Sequence, residues 1–552
     1  MALEGHKYVF VLGGVMSGVG KGIATSSMGL ILKQRGYKVN LVKVDPYLNV
    51  DAGTMNPTEH GEVFVLKSGL ETDQDMGNYE RFLGRDLGPE DYMTSGMVYK
   101  TVIERERALE YGGKCIEAIP HVRDEIVTRI EKAASQNGSQ ISVIEIGGTV
   151  GDFANALYID AARVLKMRYP DDVTFVMVSY LPVPGTLGEM KTKPTQNAVR
   201  ALNSYGVQPD FIVARSVGHM DEKRKMKLAE AVAVRHDRII SAPDVESIYD
   251  VPLNLEKDNF GDALLEALHL KSAHKADLTE WEGFVERVKA KGKPEVTIGI
   301  VGKYFDTGDF VLSDAYLSVI EAIKFAGADV GVKPRIEWIN AKDIEKTKDA
   351  TILEKYDGII VPGGFGETGI EGKILTANYC RTHKIPYFGL CYGMHMLVIE
   401  YARTVLGLDD AHTVEINPET NNPVVDVMPE QKKLIEEGNY GGTMRLGSYD
   451  CALKKGTVAQ TAYKSDTVSE RHRHRYEINP DFIPELEKKG LVFSGTSPDG
   501  RLMEIAELPQ SEHPFYLGCQ FHPELQARPL APHPLFSSFM EKALERMQYK
   551  EG

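Results

Sequence analysis

Cys391 lies in the short sequence GLCYG, which follows an apolar run and precedes a stretch of helical character. This pattern is typical of a sharp strand-to-helix turn that presents a nucleophile, and the helix N-terminus favours the thiolate. His522 and Glu524 in CQFHPE can take the thiol proton and fix the imidazole tautomer, which is the logic of a catalytic triad. The turn VPGGFG, with Gly363 and Gly364, can offer a backbone N–H to an oxyanion. The sequence therefore predicts covalent acyl chemistry at Cys391.

A second reactive set belongs to the glycine-rich segment VFVLGGVMSGVGKG, residues 9–22. A strand, a loop and the start of a helix are predicted here, and the helix N-terminus with Lys21 suits a nucleotide phosphate. Gly22 stands where a standard P-loop has the Ser or Thr hydroxyl that binds Mg²⁺. Other oxygen ligands are then needed, and Asp75 and Glu145, at apparent strand ends, are the candidates. The alternative for Glu145 is a buried acid paired with a lysine.

A basic cluster occupies the sequence GEMKTKPTQ, which contains Lys191, Lys193 and Gln196, and Lys227 follows in KRKMKLAEA. In an extended segment Lys191 and Lys193 face the same way, which suits a second anionic ligand such as another triphosphate. From spacing alone, a solvated surface is an equally good explanation.

These groups need strands that end side by side, and the sequence supplies two series of them. The first series is KYVFVLG, KVNLVKV, ISVIEIGG, VTFVMVSY and FIVAR, and the second is VTIGIVGK, YDGIIVPGG, PYFGLCYG and PFYLGCQF. Short runs rich in Val and Ile, bounded by Gly, Pro or Asp, predict buried parallel sheets with crossover helices. We therefore expect an α/β protein with two doubly wound, mostly parallel-sheet domains, at residues 1–270 and 296–552. The charged residues 271–295 are predicted to be a linker containing a helix.

Composition excludes several functional classes. In 552 residues, 42% hydrophobic and 26% charged residues are ordinary for a globular protein. The net charge of −15 argues against nucleic-acid or anionic-membrane partners. Five cysteines without a CxxC pattern indicate a reducing compartment, and those other than Cys391 are interpreted as small buried hydrophobes. No apolar run approaches the ~18 residues of a membrane helix, and the first apolar run leads into the glycine loop, unlike a signal peptide. A cytoplasmic enzyme is the expectation.

Longer motifs identify a family. The motifs are GGVMSGVGKG, KVDPYLNVDAGTMNPTEHGEVFVL, ETDQDMGNYERFLG, EIGGTVGD, GEMKTKPTQ, GLCYGMH, GGTMRLG, ERHRHRYEINP and CQFHPE. In these motifs and their order, the chain closely resembles the CTP synthase family along essentially its whole length. The resemblance implies an N-terminal amidoligase (synthetase) domain joined to a class I glutamine amidotransferase domain. The implied reaction, in de novo pyrimidine nucleotide biosynthesis, is UTP + ATP + glutamine → CTP + ADP + phosphate + glutamate. It implies that ATP phosphorylates O4 of uracil and that ammonia, released through a cysteinyl thioester, displaces the phosphate.

The resemblance also implies roles for individual residues. ATP binding is implied for Ser17, Gly18, Val19, Gly20, Lys21, Gly22 and Asp75, and Mg²⁺ binding for Asp75 and Glu145. Contacts with UTP or CTP are implied for Ser17, Lys43, Asp152, Lys191, Lys193, Gln196 and Lys227. Catalysis of glutamine hydrolysis is implied for Cys391, His522 and Glu524, and glutamine binding for Gly364, His395, Glu415 and Arg475.

Partners and regulation follow from the same resemblance. Ammonia, free or released from glutamine and carried through an internal channel, is the nitrogen source. The family implies a homotetramer (a dimer of dimers) with possible filaments, activation by GTP and inhibition by CTP. The sequence departs from the family pattern at four positions. His395 and Glu117 replace glutamines, Thr368 replaces an arginine linked with GTP activation, and Ala154 replaces a glutamate.

Two other functions compete with this interpretation. A P-loop amidoligase with the same two domains can amidate a carboxylate in cofactor synthesis, and ATP turnover with UTP or with a dicarboxylate would distinguish the two. A catalytically inactive, filament-forming regulator is the second alternative. The complete set of reactive residues, from Lys21 to Glu524, argues against loss of activity.

Overall fold

The computed structural model describes residues 5–185, 189–272, 274–302, 313–428, 431 and 441–551. The chain forms two compact units. The first unit contains Met1–Asp51 and Asp75–Val285, and the second contains Ala52–Gln74 and Glu286–Gly552. The longer part of the second unit thus begins within the predicted linker. Its shorter part, Ala52–Gln74, was predicted to belong to the N-terminal domain.

In the described residues the strands are numbered along the chain. They are β1 (Lys7–Gly14), β2 (Val39–Asp45), β3 (Phe64–Val65), β4 (Glu71–Thr72), β5 (Tyr92–Thr94), β6 (Ile141–Ile146), β7 (Val173–Tyr180), β8 (Phe211–Ser216), β9 (Ile239–Pro243), β10 (Glu295–Gly302), β11 (Lys333–Asn340), β12 (Gly358–Val361), β13 (Tyr387–Leu390), β14 (His412–Thr413), β15 (Pro423–Val427), β16 (Arg445–Leu453), β17 (Thr467–His474), β18 (Tyr476–Ile478), β19 (Val492–Thr496), β20 (Met503–Glu507) and β21 (Tyr516–Cys519).

The α-helices of the same residues follow in chain order. They are Lys21–Gln34, Pro57–His60, Asp75–Leu83, Ser95–Arg107, Arg123–Ala134, Ala156–Arg168, Lys193–Ser204, Glu222–Val232, Val251–Lys257, Phe260–Ala267, Thr279–Lys289, Leu317–Val330, Ala341–Thr347, Ile370–Thr382, Tyr392–Thr404, Val458–Tyr463, Ile483–Lys488 and Pro534–Glu551.

The first unit is built on a parallel sheet with the strand order β5-β2-β6-β1-β7-β8-β9. Every residue of the central strand β1 is buried, because helices cover both faces of such a sheet and leave no polar side to the strand. Parallel strands also bring all their carboxyl ends to one edge, where ligands of open α/β sheets bind. The P-loop, the loop after β6 and the basic cluster after β7 all leave this edge.

The second unit has a mixed sheet with the strand order β11-β10-β12-β13-β21-β20-β19-β16-β17. Its first five strands pair in parallel, and the strands from β20 onwards pair antiparallel. The predicted α/β class is therefore confirmed, with one parallel sheet and one sheet whose first five strands are parallel. Leu390 pairs with Cys519 across β13 and β21, so the two segments that carry the predicted triad leave neighbouring strands.

The segment Ala52–Gln74 belongs to the second unit through interactions of two arginines on β17, of which Arg471 is buried. Arg471 donates to the Val65 carbonyl at 3.0 Å, and Arg473 forms an ion pair of 2.8 Å with Glu71. In the first unit, Trp281 of the helix Thr279–Lys289 is buried and donates to the Tyr249 carbonyl at 2.8 Å. The start of this predicted linker helix is therefore packed against the first unit. No helix of the described residues has the length and apolarity that crossing a membrane requires.

Candidate active sites

The P-loop of the first unit presents Lys21 at the start of the helix Lys21–Gln34. The Lys21 side chain is buried and its Nζ donates to the Gly148 carbonyl at 2.7 Å. Burial lowers the pKa of this ammonium, and the nearby carboxylates of Glu145 and Asp75 only partly offset that effect. An anionic ligand would therefore stabilise its charged form. The geometry suits phosphate, which also accepts from the helix N-terminus.

Lys43 lies between the two predicted metal ligands. Its Nζ is 2.5 Å from Asp75 Oδ2, 2.9 Å from Glu145 Oε1 and 3.6 Å from Asp45 Oδ1. Glu145 also accepts a short hydrogen bond from the Tyr79 hydroxyl. The alternative of a buried acid paired with a lysine thus describes what Glu145 does here, and Asp75 shares the same lysine. The two carboxylates are brought together, with an ammonium as their counter-ion.

The structure explains the glycine that replaces the usual P-loop hydroxyl. A Cβ atom at Gly22 would lie 2.1 Å from Asp75 Oδ1 and 2.6 Å from Asp75 Cγ, far inside contact distance. The Asp75 carboxylate therefore occupies the space that a serine or threonine side chain would need. A carboxylate oxygen stands where the standard loop has its hydroxyl.

This donor set fits Mg²⁺ chemically. Mg²⁺ binds through one or two carboxylates, with substrate phosphates and water as its other ligands. Asp75 and Glu145 are such a pair, and the Lys43 ammonium between them marks the site as one that stabilises a cation. In the described part of the chain no group of three or more His, Cys, Asp or Glu side chains is arranged to hold a metal ion. The pair would therefore hold Mg²⁺ only together with other oxygens.

The basic cluster lies after β7, next to β1. Lys191 forms a 2.7 Å ion pair with Glu189, and the pKa of the Glu189 carboxyl is lowered first by Lys191 and further by Arg224 and Lys227. Lys191 and Lys227 therefore share one exposed carboxylate as a neighbour. The helix Lys193–Ser204 starts within the motif, so the segment is not extended through both lysines as the spacing argument assumed.

Other predicted nucleotide contacts lie at the surface of the first unit. Gln196 donates to the Thr192 hydroxyl at 3.2 Å, and Asp152 accepts from the backbone and hydroxyl of Thr149, both at 2.8 Å. Ser17, Gly18, Asp152 and the two departures Glu117 and Ala154 are exposed, whereas Val19 is buried. No hydrogen bond within the described residues joins Glu117 to the Asp152 turn.

Sequence reasoning missed a cavity beside the P-loop. It has a volume of about 220 Å³ and is mostly apolar. It is lined by Gly20, Ile23, Val213, Arg215, Asp244 and Leu255, among other residues. Arg215 donates to the Val19 carbonyl at 3.2 Å and pairs with Asp244 at 2.6 Å, so it links the loop to the segment after β9. An apolar slot next to a phosphate loop suits a nucleobase, and no local motif indicates it, because its walls come from distant segments.

In the second unit, Cys391 lies between β13 and the helix Tyr392–Thr404 with φ 49° and ψ −98°. A positive φ at a non-glycine residue is strained, and such strain is typical of nucleophile turns. The side chain is buried at 4% exposure and its sulfur borders a cavity of about 80 Å³. Its S–H donates to the Arg473 carbonyl at 3.8 Å. The thiol is thus presented to an internal cavity.

His522 pairs with Glu524 and lies beside Cys391. One ring nitrogen, Nδ1, is 2.7 Å from Glu524 Oε1, and His522 and Cys391 line the same cavity. Burial by itself lowers the pKa of this imidazole, but Glu524 and then Cys391 raise it from 6.5 to about 10. An imidazolium beside the sulfur favours the thiolate at neutral pH. A side chain at Gly363 would collide with His522, since its Cβ would lie 2.8 Å from the ring Cε1.

The predicted glutamine-binding residues lie around this turn. Gly364 lines the same cavity as Cys391, and Glu415 accepts from the Gly366 N–H at 2.9 Å. Arg475 directly follows β17 and donates to Gln431 at 2.7 Å and to the Thr443 hydroxyl at 3.0 Å. His395 is buried one helical turn after Cys391. The polar groups of Glu415 and Arg475 are thus hydrogen-bonded to other residues of the second unit.

Two features of the structure were not expected. Pro57, Glu62 and Val63, from the segment that precedes Asp75 in the chain, form part of the cavity wall next to Cys391. Cys115, which was interpreted as a buried hydrophobe, is exposed, and that interpretation is wrong, whereas Cys380, Cys451 and Cys519 are buried. Cys115 lies in an irregular segment, where no sheet or helix face covers it.

Comparisons with known proteins find relatives along the whole chain. Residues 7–270 match the family model described as CTP synthase N-terminus, and residues 311–542 match the model described as glutamine amidotransferase class-I. The chain is 47% identical to a CTP synthase of Methanothermobacter thermautotrophicus over 98% of this chain and 99% of that one. It is 49% identical to a CTP synthase of Pyrococcus abyssi over 99% of both chains. It is 46% identical to a CTP synthase of Halalkalibacterium halodurans over 98% and 99%.

Proposed function

Because this chain belongs to the CTP synthase family, we propose that it makes CTP from UTP, with ATP as the energy source and glutamine as the nitrogen donor. It is a glutamine-dependent ligase of pyrimidine nucleotide biosynthesis. The observation that carries this function is the pairing, in one chain, of a Cys391–His522–Glu524 triad with a P-loop flanked by Asp75 and Glu145. The relatives that match over the full length are CTP synthases, so they do not support the alternative of a carboxylate as the acceptor of the amino group.

Glutamine hydrolysis begins at the Cys391 sulfur. The sulfur attacks the side-chain amide carbon of glutamine, and His522, which holds the proton, donates it to the departing ammonia. Glu524 keeps the imidazole oriented through its 2.7 Å contact with Nδ1. The backbone after β12, at Gly363 and Gly364, lines the same cavity, and we expect an N–H there to donate to the oxyanion. Water then releases glutamate from the thioester.

Ammonia released at Cys391 enters the adjoining cavity. Apolar walls from Pro57, Val63 and Val319 limit its contact with water, which would convert it to the unreactive ammonium ion. The segment that supplies Pro57 and Val63 continues along the chain to Asp75. An internal channel for ammonia is proposed to begin here.

In the first unit, Lys21 and the P-loop residues 17–22 hold the ATP phosphates, and the cavity beside Gly20 holds the adenine. Asp75 and Glu145 would hold Mg²⁺, which when bound neutralises phosphate charge. Lys191, Lys193, Gln196 and Lys227 bind the UTP triphosphate, so Glu189 must release Lys191. Transfer of the γ-phosphoryl group to O4 of uracil creates the group that ammonia displaces.

Regulation and assembly are proposed from the same family membership. A homotetramer, GTP activation, CTP inhibition and filaments stay predictions for this chain. Thr368 is expected to weaken activation by GTP, because it cannot make the charge-assisted contact of the usual arginine.

A spectrophotometric assay of CTP formation tests the function. UTP, ATP and Mg²⁺ are supplied with either glutamine or ammonia, with and without GTP. CTP formation with both nitrogen sources is expected. ATP turnover with a dicarboxylate in place of UTP, or no turnover under any of these conditions, would contradict the proposal.

A further inference from the structure

His395 has contacts that differ from those of a simple substrate-binding residue. It is fully buried on the helix that starts after Cys391, and its backbone N–H donates to the Cys391 carbonyl at 3.4 Å. Its Nε2 lies 2.8 Å from the side-chain oxygen of Gln520. His395 does not line the cavity that borders the sulfur of Cys391. Its strongest polar contact is therefore with another buried side chain.

Gln520 lies directly after β21, opposite the nucleophile turn. The Cys391 N–H donates to the Cys519 carbonyl at 2.6 Å, and the Gln520 N–H donates to the Glu504 carbonyl at 2.8 Å. These backbone bonds fix where the Gln520 side chain starts. Its amide nitrogen then lies 3.6 Å from the Cys391 sulfur.

The hydrogen bonds made by the oxygen and the nitrogen of the Gln520 amide depend on each other. The amide nitrogen can only donate and the amide oxygen can only accept, so an amide that donates to sulfur needs a donor at its oxygen. His395 Nε2 supplies that donor only in the tautomer that carries its proton there. Burial lowers the pKa of His395 to about 4, so the ring is neutral at physiological pH and carries one N–H. No other polar atom in the described residues is bonded to its Nδ1, so Nε2 makes the ring's one side-chain hydrogen bond.

We propose that His395 is a positioning residue that fixes the Gln520 amide so that its N–H donates to the Cys391 sulfur and stabilises the thiolate. The proposal rests on the proposed role of Cys391 as nucleophile. The sulfur then has an acceptor for its neutral form, the Arg473 carbonyl at 3.8 Å, and a donor for its ionised form, Gln520. A donor to sulfur favours the thiolate, because it interacts more strongly with the negative charge.

The test measures the thiolate directly in the full-length protein without glutamine. The rate at which iodoacetamide alkylates Cys391 is followed from about pH 5 to pH 9, because the thiolate is the reactive form. Mass spectrometry of the Cys391 peptide separates this reaction from that of the exposed Cys115. The variants are Gln520→Met, which removes the donor, His395→Leu, which removes its support, and His395→Gln, which keeps an N–H.

In Gln520→Met and His395→Leu, the midpoint of the alkylation profile should move up by about one pH unit, with about a tenfold lower rate at pH values below both midpoints. The kcat for glutamine hydrolysis should fall with it, and His395→Gln should stay close to the parent protein. His513→Leu is the matched control, since His513 is also buried with a pKa near 4 but bonds the Cys380 carbonyl. It should leave the profile unchanged.

An unchanged alkylation profile in both Gln520→Met and His395→Leu would overturn the inference. So would a higher KM for glutamine in His395→Leu with kcat and alkylation unaffected, because that result makes His395 a substrate contact only. Ammonia-dependent CTP formation reports folding, and if Gln520→Met loses it, the comparison of His395→Leu with His395→Gln decides. Failure of the proposed function is seen separately, as glutamine hydrolysis that survives in Cys391→Ala.

Discussion

Replacing Gly22 with alanine adds one methyl group to the P-loop helix and should disable the synthetase reaction. The residue lies in the helix Lys21–Gln34, where alanine is intrinsically favoured over glycine by about 1 kcal/mol, so the backbone accepts the change. The new Cβ would lie 2.1 Å from Asp75 Oδ1, and real Cβ atoms do not approach an atom this closely. The carboxylate must therefore withdraw by about 1 Å or more.

The expected loss follows from that displacement. Asp75 Oδ2 is 2.5 Å from Lys43, and a shifted carboxylate changes both this pair and the proposed Mg²⁺ ligand set. A displacement of about 1 Å in a positioned group costs about 100-fold in rate, or about 2.7 kcal/mol of transition-state stabilisation. The free energy of unfolding should change by less than about 1 kcal/mol. Alanine stabilises the helix relative to glycine, and the partly exposed Asp75 side chain can move toward solvent.

The assay is ammonia-dependent CTP formation over a range of Mg²⁺ concentrations, with glutamine hydrolysis measured separately. Glutamine hydrolysis without nucleotides should persist in Gly22→Ala, because the thiol site lies in the other unit. Gly218→Ala is the control, since its Cβ would have no heavy atom within 4 Å. A Gly22→Ala protein that forms CTP from ammonia within about threefold of the parent rate would refute the argument.

Four further predictions concern the two sites and the core. Cys391→Ala should abolish glutamine-dependent CTP formation and spare the ammonia-dependent reaction, as measured with each nitrogen source, because the thiol acts only in releasing ammonia; loss of both would contradict this. Glu145→Gln should remove activity with either nitrogen source, because it deletes a charged oxygen beside Lys43, and near-normal ammonia-dependent turnover would make Glu145 structural. Ala154→Glu should tighten CTP inhibition by about 10-fold to 100-fold through a restored acceptor, and equal inhibition constants in the two proteins would dismiss the idea. His513 has a pKa lowered to about 4 by burial, so its neutral form stabilises the fold above pH 6.5 and that stability is lost as the pH falls toward 4; His513→Gln should remove about 2 kcal/mol of the loss measured by denaturant unfolding between pH 7 and pH 5, and an unchanged acid slope would count against it.

Much of the fold could be predicted from strand patterns. The apolar runs that became β1, β6 and β7 have no polar face, and only strands covered on both sides have that pattern. Because all parallel strands end at one edge, the prediction that the P-loop and Glu145 meet there needed no tertiary information. The contact of His522 with Glu524, by contrast, follows simply from their separation of two residues at a turn.

The parts that could not be predicted depend on pairs far apart in sequence. Ala52–Gln74 joins the second unit through Arg471 and Arg473, about 400 positions away, and no local periodicity records such a pair. In the sequence Lys43 likewise looks like an ordinary residue of a buried strand. In the structure its ammonium forms ion pairs with Asp75 and Glu145, which belong to other elements. The family pattern identified it as a nucleotide contact, but its partners in this structure are acids.

The glycine at position 22 and the carboxylate at position 75 occupy one volume, so their energetic effects cannot be independent. In an Asp75→Ala protein the atoms that a Cβ at Gly22 would meet at 2.1 and 2.6 Å are gone. Adding Gly22→Ala there should cost little further CTP formation, whereas it costs about 100-fold when Asp75 is present. A double-mutant cycle measures this difference as a coupling of about 2.7 kcal/mol, well above the few tenths expected of independent sites. Additive losses would mean that Gly22 is needed for close approach of the backbone to phosphate, and that the missing hydroxyl has no connection with Asp75.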